Sequence, residues 1–506
     1  MSGLTSLIPP LYLAVLGLLS LHGVHRLVVL ARYWRTRHQA PTPGPTPARP
    51  PLVTVQLPVF NEPAVIVRLI DAACALDWPR DRLEIQVLDD STDETTDLAR
   101  ACVERWRRLG IDITLVHRTD RVGFKAGALA AATPAAKGSL LAVFDADFVP
   151  GADFLRQVAP HFAGRPEVGM VQARWGHLNE EDNLLTRLSA ILLDGHFVLE
   201  HTTRHRTGCF FNFNGTAGIW RKAAIADAGG WQHDTVTEDL DLSYRAQLKG
   251  WRFVYLLDHV VPAELPASMR AFKTQQHRWA KGTMQTARKL LPTILGADLP
   301  WRVKSEAVVH MTSNLAYPGV LALSVLMPAS VFLRGRSDLQ RLLLLDLPIF
   351  LMATASVVAF YWAAERVAKG SMRGRRWRLP LTLALGIGMA VSQTRATLQG
   401  LVSADATFVR TPKVGDGAAA RYTSRLDWTP FVELALAAYF SVALVEAVSR
   451  GWYASVPFMA LFGAGFGYVG LATLLDPAGR TARAAPTAVG HPDPADAAEP
   501  EYSVAR

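Results

Sequence analysis

Residues 139–148, SLLAVFDADF, decide how this chain is read. Leu140, Leu141, Val143 and Phe144 ask for a buried sheet, yet Asp145 and Asp147 follow at once. Successive strand side chains alternate faces, so residues two apart at a strand's end can point the same way. Two carboxylates so placed repel each other unless a positive group lies beside them. Mg²⁺ or Mn²⁺ supplies that charge, and such hard cations also bind phosphate oxygens. The plainer reading is a pair of loop-capping aspartates.

The surrounding pattern repeats. LVTVQLPVF (52–60), LEIQVLDDST (83–92) and IDITLVHR (111–118) are strand-like, and helix-spaced stretches at 64–76, 93–110 and 125–136 separate them from each other and from 139–148. Alternating strands and helices predict an α/β fold with a parallel sheet covered on both faces. Ligands of such sheets sit at the carboxyl ends of the strands. The polar groups Asn61–Glu62, Asp89–Asp90 and Asp145–Asp147 fall there.

Two later motifs add chemistry. TVTEDLDLSYRAQLKGWRFVY (235–255) puts Thr237, Glu238 and Asp239 at the start of an amphipathic helix. They read as an N-cap or as the seat of a general base. FKTQQHRWAKG (272–282) gathers Gln275, Arg278 and Trp279. Arginine offers a rigid fork of donors for a diphosphate, and Trp a flat face for a sugar. The alternative is a basic, aromatic helix lying on a membrane surface.

The chain has 506 residues, half of them hydrophobic, and a net charge of +9. Paired Cys/His ligands and aromatic RNA-binding signatures are missing from the sequence, so the basic residues point to a membrane surface and not to nucleic acid. Cys74, Cys102 and Cys209 are odd in number and form no CxxC pair, which argues against a disulfide framework and a zinc site.

Apolar blocks divide the chain. Residues 1–31 read as an N-terminal transmembrane helix (apolar at 5–30), 32–50 as a Pro-rich linker, and 51–290 as a cytoplasmic domain ending in an interface helix, 266–290. A membrane domain, 291–475, has spans at about 307–333, 342–364, 430–449 and 453–475. The run 380–401 meets Ser392, Gln393 and Arg395 too early to span and reads as interfacial. Arg32, Arg35 and Arg37 after the first span, and the basic run 366–378, put the N-terminus out and the C-terminus in. Residues 476–506 read as a disordered tail. GFGYVG (465–470) lacks a strand-turn-helix context and reads as a helix-packing stripe.

Together and in order, QLPVFNE (56–62), VLDDSTDET (87–95), GFKAGAL (123–129), FDADF (144–148), FNGTAGIWR (213–221), TEDLDLS (237–243) and QQHRW (275–279) resemble the membrane-embedded family 2 glycosyltransferases. The likeness is strongest to cellulose synthase and the cellulose-synthase-like mannan and glucan synthases. It implies a cytoplasmic GT-A type domain, a Rossmann-like mixed sheet inserted between transmembrane helices, in an inner or plasma membrane if the source is bacterial. It further implies inverting, metal-dependent transfer of a hexose from UDP-glucose or GDP-mannose to a growing β-linked glycan, processive and coupled to translocation. The alternatives are a non-processive transferase acting on a lipid acceptor and, remotely, a DxD phosphohydrolase.

The resemblance also assigns roles. Val59, Phe60, Glu62 and Asp90 would hold the nucleoside, and Lys125, near Arg121, the diphosphate. Asp145 and Asp147 would organise Mg²⁺ or Mn²⁺. Asp239, with Glu238 and Thr237 beside it, would take the acceptor proton. Arg278 would steady the leaving group, and Trp279, with Gln275, would meet the acceptor sugar. Phe213, Asn214, Gly215 and Thr216 would line the acceptor end, with Gln172 near the donor sugar. Residues 405–416 resemble a gating loop in which Phe408, Thr411 and Lys413 would close over the donor. His310, Ser313, Asn314 and Tyr317 would line a glycan path or make ordinary interhelical bonds.

Overall fold

A computed structural model describes residues 7–45, 49–334, 347–403, 405 and 427–476. Its centre is a seven-stranded sheet in the order β3-β2-β1-β4-β6-β5-β7. The strands are β1 Val53–Val59, β2 Leu83–Asp89, β3 Ile113–His117, β4 Leu140–Val143, β5 Val168–His177, β6 Gly218–Arg221 and β7 Arg252–Ala263. The first four strands pair in parallel, as their alternation with helices predicts. β6 runs antiparallel to both β4 and β5, which makes the sheet mixed.

β1, β2 and β4 are buried along their whole length, so they read as apolar runs and not as alternating patterns. Two apolar clusters cover the two faces. One packs Ile66, Leu69 and Val103 against Val55 and Ile85; the other packs Leu129, Phe213 and Trp220 against Leu141 and Val143.

The structure corrects one step of the sequence reading. β4 ends at Val143, before the aspartates. Asp145–Phe148 is a turn closed by a bond from the Phe148 N–H to the Asp145 carbonyl, 3.0 Å long. A turn, and not strand alternation, brings Asp145 and Asp147 to one place.

Among the described residues, four helical stretches are long and apolar enough to cross a membrane: Ile8–Thr36, Trp301–Leu333, Thr429–Ser449 and Val456–Leu475. The expected span at 342–364 begins outside the described residues; its described part lies in the helix Leu347–Lys369. The stretch expected to be interfacial is two helices, Arg378–Gly388 and Ala390–Val402. GFGYVG lies inside Val456–Leu475, where a Cβ on Gly465 would sit 2.3 Å from the Ala384 carbonyl oxygen. Glycine there lets two helix backbones touch.

The helix Met269–Gly296 joins the two halves. Near its start, the Lys273 ammonium bonds Glu433 at 2.9 Å and Thr429 at 2.9 Å, all buried. Further along, Gly282 has no room for a side chain, since a Cβ would lie 2.5 Å from Thr237 Cγ2. The helix therefore presses directly on the segment that carries Thr237–Asp239.

Candidate active site

The carboxyl ends of β1, β2 and β4 open into one cavity, and most of the sequence-predicted residues line it. Asp145 is fixed from both ends. Its backbone N–H donates to Thr216 Oγ1 at 2.9 Å, and its carboxylate accepts from Lys125 Nζ at 2.5 Å. Lys125 also donates to the Gly215 carbonyl at 2.8 Å. It stands in the first turn of Phe124–Ala132, after a left-handed Gly123 with φ +74°. Asp147, nearly buried, lines the same cavity.

Thr237, Glu238 and Asp239 reach the cavity from the opposite wall. Thr237 is the N-cap residue of Glu238–Leu248 but makes no capping bond; its hydroxyl pairs with Thr286 Oγ1 at 3.2 Å. The Asp239 carboxylate accepts the Leu240 N–H at 2.7 Å. Burial, and then the neighbouring Glu238 charge, push Asp239 up to about 7. Burial likewise raises Glu238. Desolvation works to lower Lys125, but Asp145 and Glu238 outweigh it and hold the ammonium above its ordinary value. Burial pulls Arg278 down, against the attraction of Glu238 and Asp145.

Gly215 shows how close these groups lie. A Cβ there would be 3.1 Å from Asp239 Oδ2 and 3.1 Å from Lys125 Nζ. The backbone at Gly215 is left-handed, φ +83°, which glycine alone adopts freely. The carboxylate turn, the lysine and the candidate base thus share one point.

The far end of the cavity is formed by Val59, Phe60, Glu62, Asp90 and Arg121. Arg121 stacks 3.2 Å above the Phe60 ring centroid. Arg118 holds Asp90 with two bonds of 2.8 and 2.6 Å. Val59 and Glu62 are buried in the same wall.

A second cavity adjoins the first on the side of the membrane helices. Asn214, Thr237, Asp239, Gln275, Trp279 and Trp175 border both. The Trp175 and Trp279 ring centroids lie 6.4 Å apart. His196 and His310 wall the second cavity. His196 lies 3.1 Å from the Asn214 amide and 3.2 Å from Glu200; His310 bonds the Tyr244 hydroxyl at 2.7 Å.

Three sequence-predicted residues sit behind the site and not in it. The Gln172 amide is spent on the backbone, donating to the carbonyls of Ala173, Thr216 and Ala217 and accepting the Asn214 N–H. Phe213 is core, with its ring edge on Trp220. Thr216 is fully buried and acts through Asp145. Phe408, Thr411 and Lys413 lie outside the described residues. Sequence reasoning missed Trp175 and Arg118; the His-rich stretch 195–208, read as a helix near the acceptor end or the membrane surface, puts His196 at the second cavity. Trp175, three residues beyond Gln172 on β5, carries a readable signal: a large aromatic at a strand's carboxyl end. Arg118 carries none, because its partner Asp90 is 28 residues away.

Among the described residues, no group of three or more His, Cys, Asp or Glu side chains forms a self-sufficient metal site. The donor set still fits a hard divalent cation. Asp145 and Asp147 would supply two oxygen ligands, and such ions commonly complete their sphere with phosphate oxygens and water. Seven acidic residues (Glu62, Asp90, Asp145, Asp147, Glu238, Asp239 and Glu264) line the cavity against Arg121, Lys125 and Arg278, an acidic excess that a cation would offset.

Residues 50–282 match the family described as glycosyltransferase like family 2. Glucomannan 4-beta-mannosyltransferase 2 of Arabidopsis thaliana is 43% identical over 293 residues, 55% of this chain and 55% of that protein. Glucomannan 4-beta-mannosyltransferase 1 of Oryza sativa subsp. japonica is 45% identical over 249 residues, 48% of each. The chain spans about half the length of the curated relatives it matches. The mannosyltransferase PcManGT from Pyrobaculum calidifontis, solved in complex with GDP-Man and Mn²⁺, superposes with a TM-score of 0.51 at 22% identity, covering 77% of this chain and 99% of that one. That likeness establishes the mixed-sheet GT-A type fold. Over residues 50–282 the chain is thus similar in sequence to family 2 glycosyltransferases, and its sheet has the GT-A type fold.

Proposed function

We propose that the chain transfers a hexose from a nucleotide-diphosphate sugar to a growing β-linked polysaccharide. The observation that carries this reading is the single cavity shared by Asp145, Asp147, Lys125, Arg278 and Asp239, bordered by a second cavity against the membrane helices. The two plant relatives are named for mannosyl transfer into glucomannan, which favours GDP-mannose over UDP-glucose.

The residues divide the work. Phe60 with Arg121, and Asp90 with Arg118, form the nucleoside end. Lys125 and Arg278 face the diphosphate, whose departure needs its developing charge neutralised. A divalent cation held by Asp145 and Asp147 would supply the rest of that charge. Asp239, held by the Leu240 N–H, takes the proton of the acceptor hydroxyl. One base and one departing group make a direct displacement, so an α-linked donor gives a β-linked product. Trp175 and Trp279 offer flat faces to the acceptor sugar where the two cavities meet.

The second cavity gives a growing chain somewhere to go. Its wall includes His310 of the helix Trp301–Thr312, so a lengthening glycan would pass toward the membrane helices, consistent with processive synthesis coupled to translocation. The basic residues after the first span and at 366–378 favour a cytoplasmic catalytic domain, N-terminus out and C-terminus in. The test is a donor panel on purified membranes with Mn²⁺ or Mg²⁺, reading released nucleotide and product linkage. GDP release with an insoluble β-linked polymer is expected. A single extractable glycolipid would assign non-processive transfer to lipid, and no nucleotide release from any donor would overturn the reading.

A further inference from the structure

A third cavity lies at the opposite end of the sheet from the active site. The start of β7 and the loop before β5 form one side, and the turn 205–211 and the start of Trp301–Thr312 form the other. Its volume is about 690 Å³. Arg165, Arg252 and Arg302 line it, from three separate stretches of chain, with His205 beside them. The lining carboxylate is Glu167 alone among the described residues, so the wall carries excess positive charge. None of the three guanidiniums forms an ion pair among the described residues; Arg165 makes one long contact with Thr42 Oγ1, at 3.5 Å. Arg165 is half-buried, and Arg252 and Arg302 are exposed at the cavity mouth. Phe210, Phe211 and Phe253 give the same cavity an apolar floor.

The cavity's position says what kind of anion reaches it. Arg302 is the second residue of Trp301–Leu333, one of the helical stretches long enough to cross a membrane. Its neighbour Trp301 is 75% exposed. Trp34, at the end of Ile8–Thr36, is 41% exposed, and the short helix Thr202–Arg206 packs on that helix end through a bond from Arg206 to the Thr36 carbonyl at 3.1 Å. Exposed tryptophans at helix ends mark the water–lipid boundary. Three arginines lining one cavity offer donors that match phosphate oxygens, and basic clefts beside cytoplasmic span ends are where anionic headgroups bind.

We propose that this cavity binds a phosphate group, delivered by the headgroup of an anionic membrane lipid. The site is separate from the catalytic cavity and stands whether or not the donor assignment holds. It would tie the amino ends of β5 and β7 to the bilayer surface.

The test uses the full chain in neutral detergent and follows thermal unfolding. Short-chain phosphatidylglycerol is expected to raise Tm by about 2 °C or more at saturation, and short-chain phosphatidylcholine to leave it unchanged. Arg252→Gln combined with Arg302→Gln is expected to abolish the shift. Arg100→Gln, on an exposed helix far from the cavity, should preserve it. Glycerol phosphate and inorganic phosphate form a separate arm: a shift with these and not with the lipid, lost in the double variant, would support the phosphate site and overturn the lipid source. Equal shifts in wild type and double variant, or no shift with any phosphate, would overturn the proposal. Should the double variant be unstable, Arg252→Lys with Arg302→Lys retains charge but loses the two-pronged fork, and a weakened shift is expected.

Discussion

Replacing Gly215 with alanine tests the convergence of the site at one point. Two effects oppose each other. Alanine restricts the unfolded chain, which alone would stabilise the fold by about 0.4–1 kcal/mol. At φ +83° a Cβ is strained, at a cost of about 1–2 kcal/mol. The added methyl would also lie 3.1 Å from both Asp239 Oδ2 and Lys125 Nζ, closer than ordinary contact. Strain and crowding win, so Gly215→Ala should lose about 1–2 kcal/mol of stability. The effect on turnover should be much larger. Asp239 and Lys125 must both give way by a few tenths of an ångström or more, and misplacement approaching 1 Å costs about 100-fold in rate. Thermal unfolding and initial rates of nucleotide release measure the two separately. A variant that loses the expected stability but keeps kcat within about 3-fold of wild type would refute the placement of Gly215 between base and lysine.

Other perturbations follow from single contacts. Asp239 pushed up to about 7 is protonated below that pH in the ligand-free chain, so kcat/KM should rise from acid toward pH 7 and then level; Glu238→Gln removes a charge that raises it, and the limb should move to lower pH. Lys273→Met strands the fully buried Glu433 and should cost about 3–5 kcal/mol in thermal unfolding, while Lys273→Met with Glu433→Met should recover most of it. Thr216→Val removes the acceptor for the Asp145 N–H, costing about 1–3 kcal/mol; the Mn²⁺ titration of activity should shift to higher concentration, with little change at saturation.

Much of the α/β core was legible because its strands are short apolar runs spaced by helical stretches. Polar pairs at the strand ends pointed to the cavity, and Asp145, Asp239, Arg278 and Trp279, with Lys125 from the family resemblance, line it together. What the sequence hid is the orientation of side chains whose partners are remote. Gln172 looks like a ligand residue, but its amide braces the 214–217 backbone. Asp145 and Asp147 look like alternate positions on a strand, but a turn places them. The antiparallel β6 was also hidden, since four residues give no periodicity to read. The three arginines of the third cavity come from residues 165, 252 and 302, and only folding brings them together.

The central claim is that Asp239 takes the acceptor proton in the cavity where Asp145, Lys125 and Arg278 hold the nucleotide diphosphate. The most direct measurement pairs calorimetric binding of the nucleotide diphosphate and Mn²⁺ with turnover in Asp239→Asn, which keeps the shape and removes the base. Binding within about 3-fold of wild type with turnover down by about 10³ or more is the predicted result. Turnover near wild type in that variant would contradict the account.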